Sequence, residues 1–241
     1  MAKEKSFERA AVFGASGGIG EALCTALADR GAQVWAGSRS GEVEDNRLTG
    51  FRFDLADETS IAGAAKAMAD TPPDLVIVAS GVLTLADGTG PERTFKQING
   101  TAMETVFRLN TIGPALVAKH MLPLFPRRER AVFAALSARV GSISDNGLGG
   151  WHSYRASKAA LNMLLKNFAI ELGRTHKEAV VLGLHPGTVD TGLSQPFQSN
   201  LPDGQLTSPD AAAAHLIAVL AGSTPEDSGK VFDWQGVEVP A

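Results

Sequence analysis

Tyr154 is the only tyrosine in the chain. It opens the run Tyr154-Arg155-Ala156-Ser157-Lys158. Residues four apart share one face of a helix, so a phenol and an ammonium would lie side by side. The chemistry of that pair is proton donation from a phenol whose pKa the ammonium lowers. A second constellation is Gly14-Ala15-Ser16-Gly17-Gly18-Ile19-Gly20, between a short apolar run and a helical pattern. Glycines there let backbone N–H groups approach a pyrophosphate at the positive end of a helix. The spacing is Gly-x-x-x-Gly-x-Gly, and its strand-loop-helix context reads as a dinucleotide site. About twenty residues on, where such a site chooses its ribose, stands Ser38-Arg39. No carboxylate is present there to repel a 2′-phosphate, and an arginine can bind one bidentately. This favours NADP(H), with NAD(H) as the second choice. Asn110 is followed four residues later by Pro114. Proline has no N–H, so in a helix over about 101–122 the Asn110 carbonyl is freed at a kink.

These residues need elements to hold them. Apolar β-type runs at Ala10–Phe13, Gln33–Gly37, Gly50–Phe53, Leu75–Ser80, Ala131–Ser137, Val180–His185 and Lys230–Asp233 alternate with helical patterns. That alternation predicts an α/β fold, a parallel sheet with helices on both faces. The clearest helix spans about 153–173, with Leu161, Leu164, Leu165, Phe168 and Leu172 on one stripe. Extended backwards, the stripe meets Lys158 and Tyr154. A lysine on a buried stripe is costly without a partner, which favours a functional pair over a solvated lysine. The stretch 192–209 is rich in Gly, Ser, Pro, Asn and Asp and reads as a substrate-binding loop.

Bulk properties narrow the classes. With 241 residues, of which 44% are hydrophobic, the chain suits one large domain over 1–241. A net charge of −4 without a basic run argues against nucleic acid. The start lacks a signal-peptide core, and the longest apolar stretch, 75–83, is too short for a bilayer. One cysteine permits no intrachain disulfide, which suits the cytoplasm. Five scattered histidines suggest no zinc or iron site.

Together these motifs resemble the short-chain dehydrogenase/reductase family over nearly the whole chain. The resemblance rests on the glycine loop, Asp54-Leu55 after the third strand, Asn110, Tyr154-x-x-x-Lys158 and Pro186-Gly187 after the sixth strand. Gly141-Ser142-Ile143, Gly149-Gly150-Trp151 and Phe232-Asp233-Trp234-Gln235-Gly236 are similar to its C-factor-like carbonyl reductase branch. The resemblance implies a single-domain Rossmann fold with a seven-stranded sheet of order 3-2-1-4-5-6-7. It implies hydride transfer between nicotinamide and a carbonyl or alcohol, with Tyr154 as general acid/base and Lys158 supporting it. It implies an Asn110 carbonyl that holds a water linked to the lysine. It places Gly14, Ser16, Gly17, Gly18, Ile19, Gly20, Ser38, Arg39, Asp54, Leu55, Ala79, Ser80 and Gly81 on the cofactor. Asn110, Tyr154, Lys158, Pro186, Gly187, Val189 and Thr191 join them. Homo-oligomers are common in the family.

Two positions depart from the family pattern. Ala79-Ser80-Gly81 stands where Asn-Ala-Gly is usual, and Ala138 stands at the usual catalytic serine. Ser137 is the favoured substitute and Ser142 the next, with neither as the third outcome. Candidate substrate-lining residues are Leu83, Ile143, Trp151, His152, Leu193 and Phe197. Two rival functions remain: a nucleotide-binding signalling or regulatory protein with weak or no turnover, and a sugar-nucleotide epimerase or dehydratase. The second lacks room for that branch's added domain.

Overall fold

The computed structural model describes residues 7–200 and 204–241. Seven parallel strands form one sheet: β1 (Arg9–Phe13), β2 (Gln33–Ser38), β3 (Leu48–Arg52), β4 (Leu75–Val78), β5 (Ala131–Leu136), β6 (Ala179–His185) and β7 (Val231–Asp233). Their order is β3-β2-β1-β4-β5-β6-β7, as the resemblance implies. Helices α1 (Gly18–Asp29) and α6 (Pro209–Gly222) pack with Leu75, Ile77, Val132 and Val180 on one face. Helices α2 (Glu58–Ala67), α4 (Gly113–Met121) and α5 (His152–Leu172) pack with Val76, Val78 and Phe133 on the other. Neighbouring strand residues thus enter opposite cores, which is why β4 is apolar at every position. Between β4 and α4 lies α3 (Gly100–Phe107).

β1 pairs with β2 on one side and β4 on the other. Strand order reverses there, and the crevice at the carboxyl ends is where open α/β sheets bind ligands. Gly14, directly after β1, has φ +113°. A Cβ on it would collide with Ser80 beyond β4, so the two loops meet only because this residue is glycine.

The kink expected over 101–122 takes a particular form. α3 and α4 are joined by a single π-turn over Arg108–Ile112, and the Gly113 N–H donates to the Arg108 carbonyl. Pro114 fills the first turn of α4, where a missing N–H costs least. The stretch 192–209 is more ordered than its composition suggests. It carries a 3₁₀ turn over Gln195–Asn200, and Leu206–Thr207 pairs in parallel with Thr188–Val189. Residues 201–203 of that stretch lie outside the described residues. Among the described residues, no helix is long and apolar enough to cross a membrane.

Candidate active site

A cleft of about 1500 Å³ runs along the carboxyl ends of β1, β2, β4 and β5. One end is floored by Gly14, Ser16, Gly17, Gly18 and Ile19, at the start of α1. Gly17 caps α1 without any side-chain hydrogen bond, so the first N–H groups of the helix are open to a ligand. Gly20 lies behind the loop; a Cβ there would strike the Gly14 carbonyl, so glycine sets the helix close to the strand. Ser38 and Arg39 close the ribose end, with Asp54 and Leu55 beside them. Ser38 is buried, and its Oγ accepts the Gly41 N–H at 2.9 Å. Arg39 is exposed, and its guanidinium forms none of the ion pairs found among the described residues. The Asp54 carboxylate accepts the Ala56 N–H at 2.8 Å.

At the opposite end, Leu136, Ser137, Tyr154 and Lys158 line the same cleft, with Pro186 and Thr191 above. Tyr154 and Lys158 project together from the first turns of α5. The Lys158 Nζ is buried, lies 5.7 Å from the centre of the Tyr154 ring and donates to the Leu136 carbonyl at 2.7 Å. That carbonyl is the last of β5, so the lysine's partner comes from the sheet. Gly141 allows the approach: a Cβ on it would come within 2.8 Å of the Lys158 Cβ. The expected lowering of the phenol is not what the protein itself produces. Burial pushes the Tyr154 phenol up to about 12 and the Lys158 ammonium down to about 8. Both charged forms lose hydration, and the lysine spends its hydrogen bond on Leu136. Near neutral pH the phenol is therefore fully protonated, ready to give a proton.

Asn110 does more with its side chain than the sequence suggested. Fully buried in the π-turn, its Oδ1 accepts the Val82 N–H and its Nδ2 donates to the Val82 carbonyl, each at 2.8 Å. The same Nδ2 donates to the Ser157 Oγ at 3.2 Å. Asn110 thus ties the β4 loop to α5 between Tyr154 and Lys158. Gly81 sits against this junction; a Cβ on it would come 3.1 Å from the Asn110 Oδ1 and 3.5 Å from the Lys158 Nζ. Ser80, beside the position of the absent asparagine, ties this loop to the end of β1, since its Oγ donates to the Phe13 carbonyl at 3.2 Å.

The two candidate serines separate. β5 ends at Leu136, so Ser137 escapes strand alternation and reaches the cleft. Its Oγ donates to the Asn162 Oδ1 at 2.5 Å. The Ser142 Oγ accepts the Asp145 N–H at 3.1 Å, closing a turn, and the residue is not part of the cleft wall. Val189 and Gly187 also stand behind the wall. Val189 is buried and Gly187, at φ +78°, makes room for Trp234. Thr191 packs on the glycine loop, with its methyl 2.9 Å from where a Gly18 Cβ would be.

Of the expected substrate-lining residues, Leu193 lines the cleft. Leu83 and Phe197 line a neighbouring cavity of about 580 Å³ that shares Tyr154. Trp151 packs on Phe197 with ring centres 5.1 Å apart and meets Tyr154 edge-on at 6.3 Å. Ile143 is 79% exposed and lies in neither wall. Met103, Phe107 and Arg108 enter the cleft without any sequence signal. The π-turn brings Arg108 to the Ala56 carbonyl, 2.7 Å from its Nη2.

The residues present fit a dinucleotide. A Cβ on Gly14, Gly18 or Gly20 would collide with its surroundings, and an open helix terminus faces a long cleft with a cation at one end and a phenol at the other. Comparison with known proteins agrees. Residues 8–202 match the short chain dehydrogenase family model. The C-signal protein of Myxococcus xanthus is 36% identical over 169 residues, which are 70% of this chain and 93% of that protein. The 1-hydroxy-2-glutathionyl-2-methyl-3-butene dehydrogenase of Rhodococcus sp. (strain AD45) is 33% identical over 226 residues, 91% of this chain and 93% of that protein. The fold superposes on the NADPH-bound carbonyl reductase from chicken fatty liver with a TM-score of 0.83 at 24% identity, covering 99% of this chain and 96% of that one. A doubly wound sheet whose switch-point cleft ends on a Tyr-x-x-x-Lys pair, matched to that model over most of its length, leads to one conclusion: the chain belongs to the short-chain dehydrogenase/reductase family.

Proposed function

We propose that the protein is an NADP(H)-dependent carbonyl reductase or alcohol dehydrogenase of the cytoplasm, acting as a single domain over 1–241. The observation that carries this reading is the meeting of Tyr154, Lys158 and Ser137 at one end of the cleft that the glycine loop and Arg39 close at the other. A bound nicotinamide supplies hydride exchange with a carbonyl carbon. The Tyr154 phenol gives its proton to the carbonyl oxygen, the Ser137 hydroxyl steadies the charge that builds there, and Lys158 restores the phenol's proton. A relay through water held by the Asn110 carbonyl is part of this reading, and the π-turn over Arg108–Ile112 supports it by interrupting the regular helix at Asn110. Leu193 in the cleft wall, with Leu83 and Phe197 in the neighbouring cavity that shares Tyr154, suits a ketone or aldehyde with an apolar, ring-bearing substituent. The name of the Rhodococcus relative describes oxidation of an alcohol, which is the same exchange in reverse.

The first test is turnover of ketones, aldehydes and quinones with NADPH, beside NADPH binding. The name C-signal of the Myxococcus relative favours a second reading, a signalling protein that binds nucleotide. NADPH binding without turnover of any panel member would support that reading. Arg39→Asp belongs to the same experiment. An exposed guanidinium on a phosphate contributes about 1.5 kcal/mol, so NADPH should weaken roughly tenfold. NADH should change little; an equal loss for both refutes the 2′-phosphate assignment.

The pH profile has a defined sign. Lys158 keeps its charge below about pH 8 and loses it above. The phenol stays protonated across that range. The kcat/KM for reduction, which reports ionisations before substrate binds, should be level below pH 8 and fall as pH rises through it. A profile that rises across the same interval would show that neutral lysine is the working form.

A further inference from the structure

We infer that Glu92, from the loop between β4 and α3, is a positioning residue for the Tyr154 phenol. The inference rests on the reductase reading of the site. α5 begins without a side-chain cap of its own, because the indole of Trp151 at the cap position has no acceptor. The approach to it is contorted. Gly149, Gly150 and Trp151 all have positive φ, and Trp151 is the one non-glycine residue with positive φ among those described. Such conformations persist only where the surroundings hold them, and they gather at functional sites.

Glu92 is what holds this one. It is 8% exposed. Its Oε2 accepts the Ser153 N–H at 3.1 Å, and its Oε1 accepts the Ser153 hydroxyl. Its backbone carbonyl accepts the Trp151 N–H at 2.5 Å. One residue, 61 positions upstream of Ser153, thus accepts two of the open N–H groups at the start of the catalytic helix, those of Trp151 and Ser153, and a carboxylate at that positive end is favourable. Burial opposes the charge. The Ser153 hydrogen bonds and the nearby His152 outweigh it, so the carboxylate stays below its ordinary pKa.

Tyr154 is the next residue along. The register of its phenol therefore depends on the turn that Glu92 clamps. The neighbouring cavity of about 580 Å³ lies between that loop and α5, walled by Glu92, Ser153, Tyr154, Leu83, Val106 and Phe197. The same clamp shapes this cavity and aims the phenol beside it.

The test compares Glu92→Ala with Glu92→Gln in the full chain. A displacement of the order of 1 Å in a reacting group can cost about 10²-fold. Glu92→Ala should lower kcat by roughly ten- to a hundredfold at unchanged NADPH affinity. Glu92→Gln, whose carbonyl still accepts the Ser153 N–H, should recover most of it. Glu92→Ala that is folded and as fast as wild type overturns the proposal. So does a loss of kcat matched by an equal loss of NADPH binding. If Glu92→Ala does not fold, Ser153→Ala takes its place, and an unchanged kcat there is the overturning result. One readout needs no turnover, so failure of the reductase reading is seen separately. The lone tyrosine makes its near-ultraviolet tyrosinate band specific to Tyr154. Loosening the turn should hydrate the phenol and move its titration down from about 12 towards the free value. An unmoved titration in both variants counts against the clamp.

Discussion

Tyr154→Phe is expected to lower kcat by about 10²–10⁴, the range that a general acid contributes. The substitution removes one oxygen and keeps the ring. The edge-on contact with Trp151 and the approach of the Lys158 Nζ to the ring face both involve the ring. Fold and NADPH affinity should therefore persist, and fluorescence titration of NADPH checks the latter. Burial is the whole cause of the phenol's raised pKa, with no charged or hydrogen-bonding neighbour contributing. The hydroxyl is thus held as a neutral donor facing the cleft. Retained turnover in Tyr154→Phe would remove the acid/base assignment altogether.

Ser137→Ala carries the second large effect. Loss of one donor to a developing oxyanion costs about 10²–10³ in kcat. Ser137 lines the cleft with Tyr154 and Lys158, whereas Ser142 closes a turn outside it. Ser142→Ala should accordingly leave kcat alone and cost roughly 1 kcal/mol of stability, read by denaturant unfolding. The Ser137 hydroxyl has one proton and gives it to the Asn162 Oδ1. A half-turn of the Asn162 amide replaces that acceptor with an N–H donor and frees the proton for a substrate carbonyl. Wild-type kcat in Ser137→Ala would mean that neither serine meets the substrate and that Tyr154 acts alone on the oxygen.

The serine shows how far spacing carries. Counting back from Gly141 put Ala138 at the usual catalytic position, and alternation argued against Ser137. That objection held only while the strand continued. β5 stops at Leu136, a boundary set by where its pairing with β6 ends. Asn110 is a similar case. Pro114 was enough to predict an interrupted helix, which the π-turn over Arg108–Ile112 shows. The side-chain clamp on Val82 needed the β4 loop beside it, 28 residues away in sequence. Glu92 left no local trace at all. It stands in a polar loop, and its partners lie beyond two helices, a strand and the π-turn.

The order of the sheet came from the family resemblance; local pattern alone determined the parallel sheet itself, the glycine cradle and the placing of Tyr154 and Lys158 on one helical face. These follow from the two-residue period of strands, the 3.6-residue period of helices and the freedom of glycine, all properties of neighbouring residues. Tertiary structure decided the chemical state of the groups. It gave Lys158 the Leu136 carbonyl as partner, raised the phenol of the only tyrosine instead of lowering it, chose Ser137 over Ser142 for the cleft and brought Glu92 to the start of α5. Burial and hydrogen-bond partners come from segments far apart in the chain, and desolvation outweighs the charge pairing that spacing alone suggested.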